Sequence, residues 1–177
     1  MEVTVKNIAI NAMGIALFVA FSLCLQVPVF ENYYLCLGYI VMTVYCYVLG
    51  TTSGTIVGTI GVFLYCLLTS GLRGMTGWVM GNLVLGIIMG LTFKYIKKLK
   101  KPLLETIISS VIIIIATAIA MLIIKSGVES LLYEPFLIRF AKNIYAFIAD
   151  SFVIIVSLPI CKILEPKLNK IVKSSNY

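Results

Sequence analysis

The stretch TSGLRGMTGWVMGN, residues 69–82, brings a cation, an indole and an amide together in a chain that is otherwise strongly apolar. Arg73 stands among glycines. Trp78 and Asn82 are four residues apart, which places them on one face of a helix. A guanidinium binds carboxylates, an indole stacks on flat rings, and an amide offers both a donor and an acceptor. These residue types indicate a binding site rather than a catalytic centre.

A second polar group lies in LIRFAKNIYAFIAD, where Arg139, Asn143, Ala146 and Asp150 form one stripe of a helix. Asp150 comes eleven residues after Arg139, or about 16 Å along the helix axis. An unpaired carboxylate at that depth in a membrane is costly, so Asp150 must pair, become protonated or contact a ligand. Facing Trp78, this stripe would form a polar pocket with an aromatic wall, open to the outside.

The third candidate segment is VPVFENYY, which contains Glu31, Asn32, Tyr33 and Tyr34 and is expected to be an external loop. Other interpretations stay open for several of these residues. Trp and Tyr are enriched where a membrane meets water, so Tyr33, Tyr34 and Trp78 could form an interfacial belt. Arg139 could extend to the outer headgroups instead of binding a ligand.

The elements that would hold these residues are membrane-spanning helices. The chain has 177 residues, is 61% hydrophobic and 12% charged, and has a mean hydropathy of +1.09. A bilayer-spanning helix needs about 20 apolar residues, which predicts an all-α integral membrane protein with one six-helix domain over residues 1–177. The expected spans are about 7–26, 35–50, 54–70, 77–95, 103–124 and 137–162.

The basic residues predict the orientation. With both termini in the cytoplasm, ten of the fourteen Lys and Arg residues lie on the cytoplasmic side, which agrees with the positive-inside rule. The remaining four, on the outer side or at outer helix ends, are Arg73, Lys125, Arg139 and Lys142. We interpret the basic runs as stop-transfer and headgroup anchors rather than as a nucleic-acid site.

Several kinds of chemistry are not expected from this sequence. It has no His, and none of its five cysteines are spaced C-x-x-C, so no metal and no cofactor are predicted. It also lacks a P-loop and the H-E-x-x-H and G-x-S-x-G motifs, so we expect neither ATP hydrolysis by this chain nor another enzymatic activity.

The first helix carries a different pattern, in which Ala12, Ala16 and Ala20 recur every four residues. A stripe of small residues lets another helix approach closely. The partner helix could belong to this protein or to another.

The whole pattern resembles the substrate-binding S component of energy-coupling factor (ECF) transporters, which take up vitamins into prokaryotic cells. The length, the six spans, the basic flanks and the small-residue stripe carry the resemblance. The segments from residue 50 to 98 and from 139 to 164 are similar to the branch that binds folate, pantothenate or a queuosine precursor.

This resemblance implies a subunit of the plasma membrane that binds its substrate from outside. It would dock on a membrane coupling subunit driven by two ABC-type ATPases. Ala12, Ala16 and Ala20 would then form the docking face. The implied substrate site comprises Glu31, Asn32, Tyr33, Tyr34, Arg73, Trp78, Asn82, Arg139, Asn143 and Asp150.

The substrate stays open at this point. The two arginines favour a carboxylate, as in pantothenate or folate. Glu31, Glu129 and Asp150 would instead suit an amine-rich heterocycle such as a deazapurine. Two other functions also remain as alternatives: a permease that works alone, and a membrane scaffold or assembly protein without a ligand.

Overall fold

The part of the chain that the structure describes, residues 5–24, 27–30, 33–69, 75–98 and 102–174, is helical apart from one short hairpin. The structure is a computed structural model. Its elements are α1 (Val5–Cys24), β1 (Val27–Phe30), β2 (Tyr33–Leu35), α2 (Gly38–Val48), α3 (Thr51–Thr69), α4 (Met75–Ile96), α5 (Pro102–Thr117), a π-helical segment (Ala118–Lys125), α6 (Ser126–Leu132) and α7 (Phe136–Ser174).

Within the described residues, five helical stretches are long and apolar enough to cross a membrane: Val5–Cys24, Thr51–Thr69, Met75–Ile96, Leu103–Leu132 and Phe136–Leu168. The remaining apolar helix, α2, has only 11 residues and is about 16 Å long, roughly half of a hydrocarbon core. The helical membrane architecture is therefore confirmed in outline. The count of six spans and the cytoplasmic location of both termini stay predictions.

Close contacts at glycines show how α2, α3 and α4 run relative to one another. A Cβ added at Gly86 of α4 would lie 2.7 Å from the Thr55 Cα of α3, and Gly90 of α4 stands against Thr51. Along this contact the residue numbers rise in α4 and fall in α3, so the two helices are antiparallel. Gly54 and Gly58 of α3 meet Cys46 and Met42 of α2 in the same antiparallel manner.

The turn between α2 and α3 depends on Gly50, which has φ of +92°. That backbone region is strained for residues with a Cβ, whereas glycine adopts it readily.

Helix α1 packs on the bundle through a narrow stripe. Its only fully buried residues are Gly14, Phe18 and Ser22. Gly14 lies against Val57 of α3, and Phe18 lies against Gly61 one turn further on, so α1 and α3 are parallel. Most of the α1 surface faces away from the bundle.

Ion pairs and hydrogen bonds connect several helices at one end of the bundle, here called the basic face. There Lys97 Nζ lies 2.6 Å from Glu165 Oε1 and donates to the Tyr47 carbonyl, also at 2.6 Å. The Tyr47 hydroxyl donates to Glu105 Oε1 at 2.9 Å, and Lys162 lies 3.8 Å from Glu105. These contacts connect the last turn of α2, the chain just after α4 and the first turn of α5 with α7. We call the opposite end, which carries β1 and β2, the hairpin face.

Two helices extend beyond the predicted limits. The fifth span was expected to end at residue 124, but the helix continues through Lys125 to Leu132. Lys125 and Glu129 are both buried, so the two charged groups in this extension are accommodated inside the protein. The sixth span was expected to end near residue 162, but α7 reaches Ser174 even though it includes Pro159 and Pro166.

The hairpin was not predicted as a strand pair. Val27 pairs with Leu35 and Pro28 with Tyr34, with an irregularity before the Phe30–Tyr33 pair. The expected external loop is therefore partly ordered by backbone hydrogen bonds. The hairpin packs against α7, the helix that carries Asp150.

Replacing Gly86 with Ala should destabilise the protein, because the nearest atom to the added methyl group is the Thr55 Cα, a backbone atom that cannot rotate away. Overpacking of this kind costs about 1–3 kcal/mol. We expect a lower midpoint of thermal unfolding in detergent. Gly127→Ala is the matched control, since nothing lies within 4 Å of the added Cβ at that position. Equal midpoints for the two variants would contradict the close contact between α3 and α4.

Candidate functional site

The Tyr39 hydroxyl is the centre of a buried polar group that joins three helices. Tyr39 lies in the first turn of α2 and has no exposed surface. Its hydroxyl accepts a hydrogen bond from Trp78 Nε1 of α4 at 2.9 Å. It also bonds to the Asn82 side chain and to the carboxylate of Asp150 on α7. Asp150 therefore has a hydrogen-bond partner although it is 3% exposed.

An aromatic wall and a cation border this group. The Tyr65 and Trp78 rings meet edge to face with centroids 5.7 Å apart, and Phe18 meets Tyr39 in the same way at 6.0 Å. Lys125 Nζ lies 5.5 Å from the centroid of the Trp78 ring. A cation over an indole is attracted to its π face. The site thus combines flat apolar surfaces with a buried ammonium group.

Asn82 leaves one polar atom without a partner. Its Nδ2 donates to the Trp78 carbonyl at 2.9 Å. Its Oδ1 is buried and has no hydrogen-bond partner among the described residues. Leaving such an acceptor unpaired costs about 1–3 kcal/mol. A ligand with an N–H or O–H group would recover that cost.

A second buried group lies nearer the hairpin face. Asn143 Nδ2 donates to Ser126 Oγ at 2.9 Å and to Glu129 Oε2 at 3.2 Å. Arg139 Nη1 lies 3.8 Å from the same Glu129 oxygen. Glu129 is 2% exposed, so its carboxylate is almost entirely removed from solvent. Buried charges need partners of this kind.

Glu134 joins the outermost charges of the site. Its Oε2 lies 3.1 Å from Arg139 Nε and 2.9 Å from Lys142 Nζ. The hydrogen bond from Lys142, with the nearby charge of Arg139, holds the pKa of Glu134 below its usual value. Among the described residues of α6 and α7, the charges near this face are therefore arranged in pairs.

Close helix packing brings the Lys125 side chain to Trp78. A Cβ at Gly77 of α4 would lie 2.8 Å from the Lys125 carbonyl, and one at Gly81 would lie 2.9 Å from the Ala120 carbonyl. The π-helical segment ends at Lys125. Such segments have wider turns than an α-helix and are frequent at functional sites. The two glycines let α4 approach this segment.

Over residues 2–166 the sequence matches the family described as ECF-type riboflavin transporter, S component. The chain belongs to this family. It is therefore a substrate-binding membrane subunit of an ECF importer, and this kind of subunit is not an enzyme. No match was found among curated proteins. The riboflavin family differs from the folate, pantothenate and queuosine-precursor branch suggested by the sequence, and that narrower assignment is not confirmed.

The structure brings together part of the predicted substrate site of this S component. Trp78, Asn82 and Asp150 meet around Tyr39, whereas Arg139 and Asn143 belong to the neighbouring group with Glu129. Their role in binding stays a prediction. Glu31, Asn32 and Arg73 lie outside the described residues. Tyr33 and Tyr34 lie in β2, where only the backbone is described.

Three residues of these groups were missed by the sequence reasoning: Tyr39, Lys125 and Ser126. Tyr39 stands in the apolar run LCLGYIVM, where only its hydroxyl distinguished it from other core residues. Lys125 follows a long apolar run and was interpreted as an outer helix end. Its position four residues before Glu129 was the available signal, since residues so spaced share a helix face.

The predicted docking stripe lies on the outer surface of α1. Ala12, Ala16 and Ala20 are all exposed, whereas Phe18 faces the bundle. The stripe therefore does not serve packing within the described part of this chain. Its role in docking stays a prediction.

Removing the Tyr39 hydroxyl should destabilise the ligand-free protein. In Tyr39→Phe, Trp78 Nε1 and the Asp150 carboxylate lose a partner, and a buried polar group left unpaired costs about 1–3 kcal/mol. We expect a clear fall in the midpoint of thermal unfolding. Tyr95→Phe is the control, because Tyr95 is 62% exposed. If both variants unfold at the wild-type temperature, the hydroxyl does not hold the three helices together.

Proposed function

We propose that this S component binds riboflavin in the region of Trp78, Asn82 and Lys125 and passes it to an ECF module. The observation that carries the proposal is the unpaired Asn82 Oδ1, a buried acceptor beside an aromatic wall. Membership of the riboflavin S-component family supports this choice of ligand.

The ring system of riboflavin matches the chemistry of the buried polar group around Tyr39. It is flat, and one edge presents an N–H between two carbonyl groups. Asn82 Oδ1 can accept from that N–H, and the Lys125 ammonium can donate to a neighbouring carbonyl. Trp78 and Tyr65 supply aromatic surface for the ring system, and such contacts add to simple burial.

The sugar-alcohol chain of riboflavin matches the group nearer the hairpin face. That chain carries hydroxyls, each of which both donates and accepts hydrogen bonds. Glu129, Ser126 and Asn143 supply oxygen and amide groups that now bond to one another. A hydroxylated chain would replace some of these internal bonds with ligand bonds, so polar groups would remain satisfied in both states.

Riboflavin should bind to the purified protein in detergent, as measured by isothermal titration calorimetry. Trp78→Ala removes aromatic surface, and Asn82→Leu removes the unpaired acceptor. Each should weaken binding at least tenfold, or about 1.4 kcal/mol. Thr92→Val is the control on the same helix, ten residues beyond Asn82 towards the basic face.

Competition identifies the ligand class. Folate, pantothenate and a 7-deazaguanine should fail to displace riboflavin. Tight binding of one of these instead would mean that the same site binds a ligand of the branch suggested by the sequence. A protein that binds none of them would favour the scaffold alternative.

We further propose that the stripe of Ala12, Ala16 and Ala20 docks on the membrane subunit of the module, in the plasma membrane of a prokaryotic cell. The module would include two ABC-type ATPases that supply the energy. The three alanines are exposed and small, so a partner helix could approach the α1 backbone closely.

Ala16→Leu should abolish riboflavin uptake and co-purification of the module, because the larger side chain keeps a partner helix away. Riboflavin binding to the isolated variant should be unchanged. Ala141→Leu makes the same substitution at an exposed position of α7 and should have no effect. Loss of binding together with uptake would indicate misfolding. Uptake in cells without the module would identify a permease that works alone.

A further inference from the structure

The inner side of α1 rests on the same short stretch of chain that carries Tyr39. Ser22 Oγ lies 3.3 Å from Cys36 Sγ. A Cβ at Gly38 would lie 2.8 Å from the Phe18 carbonyl and 2.9 Å from the Phe18 ring. Two of the three fully buried residues of α1 thus contact the chain just before or within the first turn of α2.

Phe18 makes the most direct contact between α1 and the candidate site. Its ring meets the Tyr39 ring at 80° with centroids 6.0 Å apart, and both side chains are fully buried. On its other side the ring is confined by Gly61, where an added Cβ would lie 2.6 Å from Phe18 Cδ1. In an interior packed this closely, Tyr39 cannot shift far without moving the Phe18 ring.

The hydrogen bonds of the Tyr39 hydroxyl would change when a ligand binds in the site. It bonds to Trp78, Asn82 and Asp150, and two of these residues form the region where riboflavin is proposed to bind. A ligand that bonds to Asn82 or stacks on Trp78 changes the partners of this hydroxyl. An adjustment of the Tyr39 ring would be transmitted to α1 at Phe18, which packs against that ring.

The predicted docking stripe is on the opposite side of the same helix. Ala16 and Ala20 are each two residues from Phe18, which is about 200° around an α-helix. A rotation or shift of α1 driven at Phe18 would therefore change how the alanines are presented. Besides Phe18, the buried residues of α1 are Gly14 and Ser22, and both of these are small.

We propose that Phe18 is a positioning residue that couples cargo binding at Tyr39 to partner docking on α1. This inference rests on the proposed function, because it needs both a ligand and a docking partner. Such coupling is reciprocal: the ligand changes the affinity for the partner by the same factor as the partner changes the affinity for the ligand.

The test measures the affinity of the purified ECF module for this S component in detergent, with and without saturating riboflavin. In the wild type the two dissociation constants should differ about fivefold or more. In Phe18→Leu, which keeps an apolar side chain but loses the ring contact, they should become equal. Riboflavin is kept saturating for each variant, whatever its affinity, so that the ratio reports the coupling alone.

Phe21→Leu is the matched control, because Phe21 is 38% exposed on the same helix. It should keep the wild-type ratio. If Phe18→Leu does not fold, Phe18→Met is measured in the same way, since the flexible thioether fills a similar space without a ring.

A wild-type ratio of one, or a wild-type ratio retained in the Phe18 variant, would overturn the inference and leave the proposed function intact. Failure of the wild type to bind riboflavin or the module at all would instead overturn the proposed function, and the inference with it. The two failures are therefore distinguished within one set of titrations.

Discussion

The hydrogen bond between Tyr39 and Asp150 is the constraint on which the arrangement of α2, α4 and α7 depends. A carboxylate inside a helical membrane bundle has little water to bond to, so it must find its partner in the protein. The same hydroxyl accepts from Trp78 Nε1, which fixes the indole relative to α7. A single oxygen thus connects polar side chains of α4 and α7.

Close packing is the second requirement, and small residues supply it. Gly77 and Gly81 bring α4 against the π-helical segment, while Gly86 and Gly90 bring its following turns against α3. Along α4 these glycines alternate with Trp78 and Asn82, whose side chains face the polar group around Tyr39. The same helix therefore supports both the packing of the bundle and the candidate site.

Two kinds of feature could be predicted from the sequence: those that depend on the spacing of apolar and polar residues, and those that follow from the free-energy cost of burying a charge. Of the stripe formed by Arg139, Asn143, Ala146 and Asp150, all but Arg139 are buried, and the apolar runs became helices. Tyr39 and Lys125 were missed because their roles depend on tertiary contacts. A tyrosine in an apolar run looks like core, and a lysine after one looks like a helix end. The pairing of β1 with β2 was missed because the segment is short and contains Pro28, a residue depleted in strands.

The first turn of α2 is buried among other helices. This helix has 11 residues, too few to span the hydrocarbon core, and it packs against α1 and α7. The N-terminal end of a helix carries partial positive charge. Asp150 bonds to the hydroxyl of Tyr39, which lies in the first turn of α2, so the carboxylate is near this end of the helix.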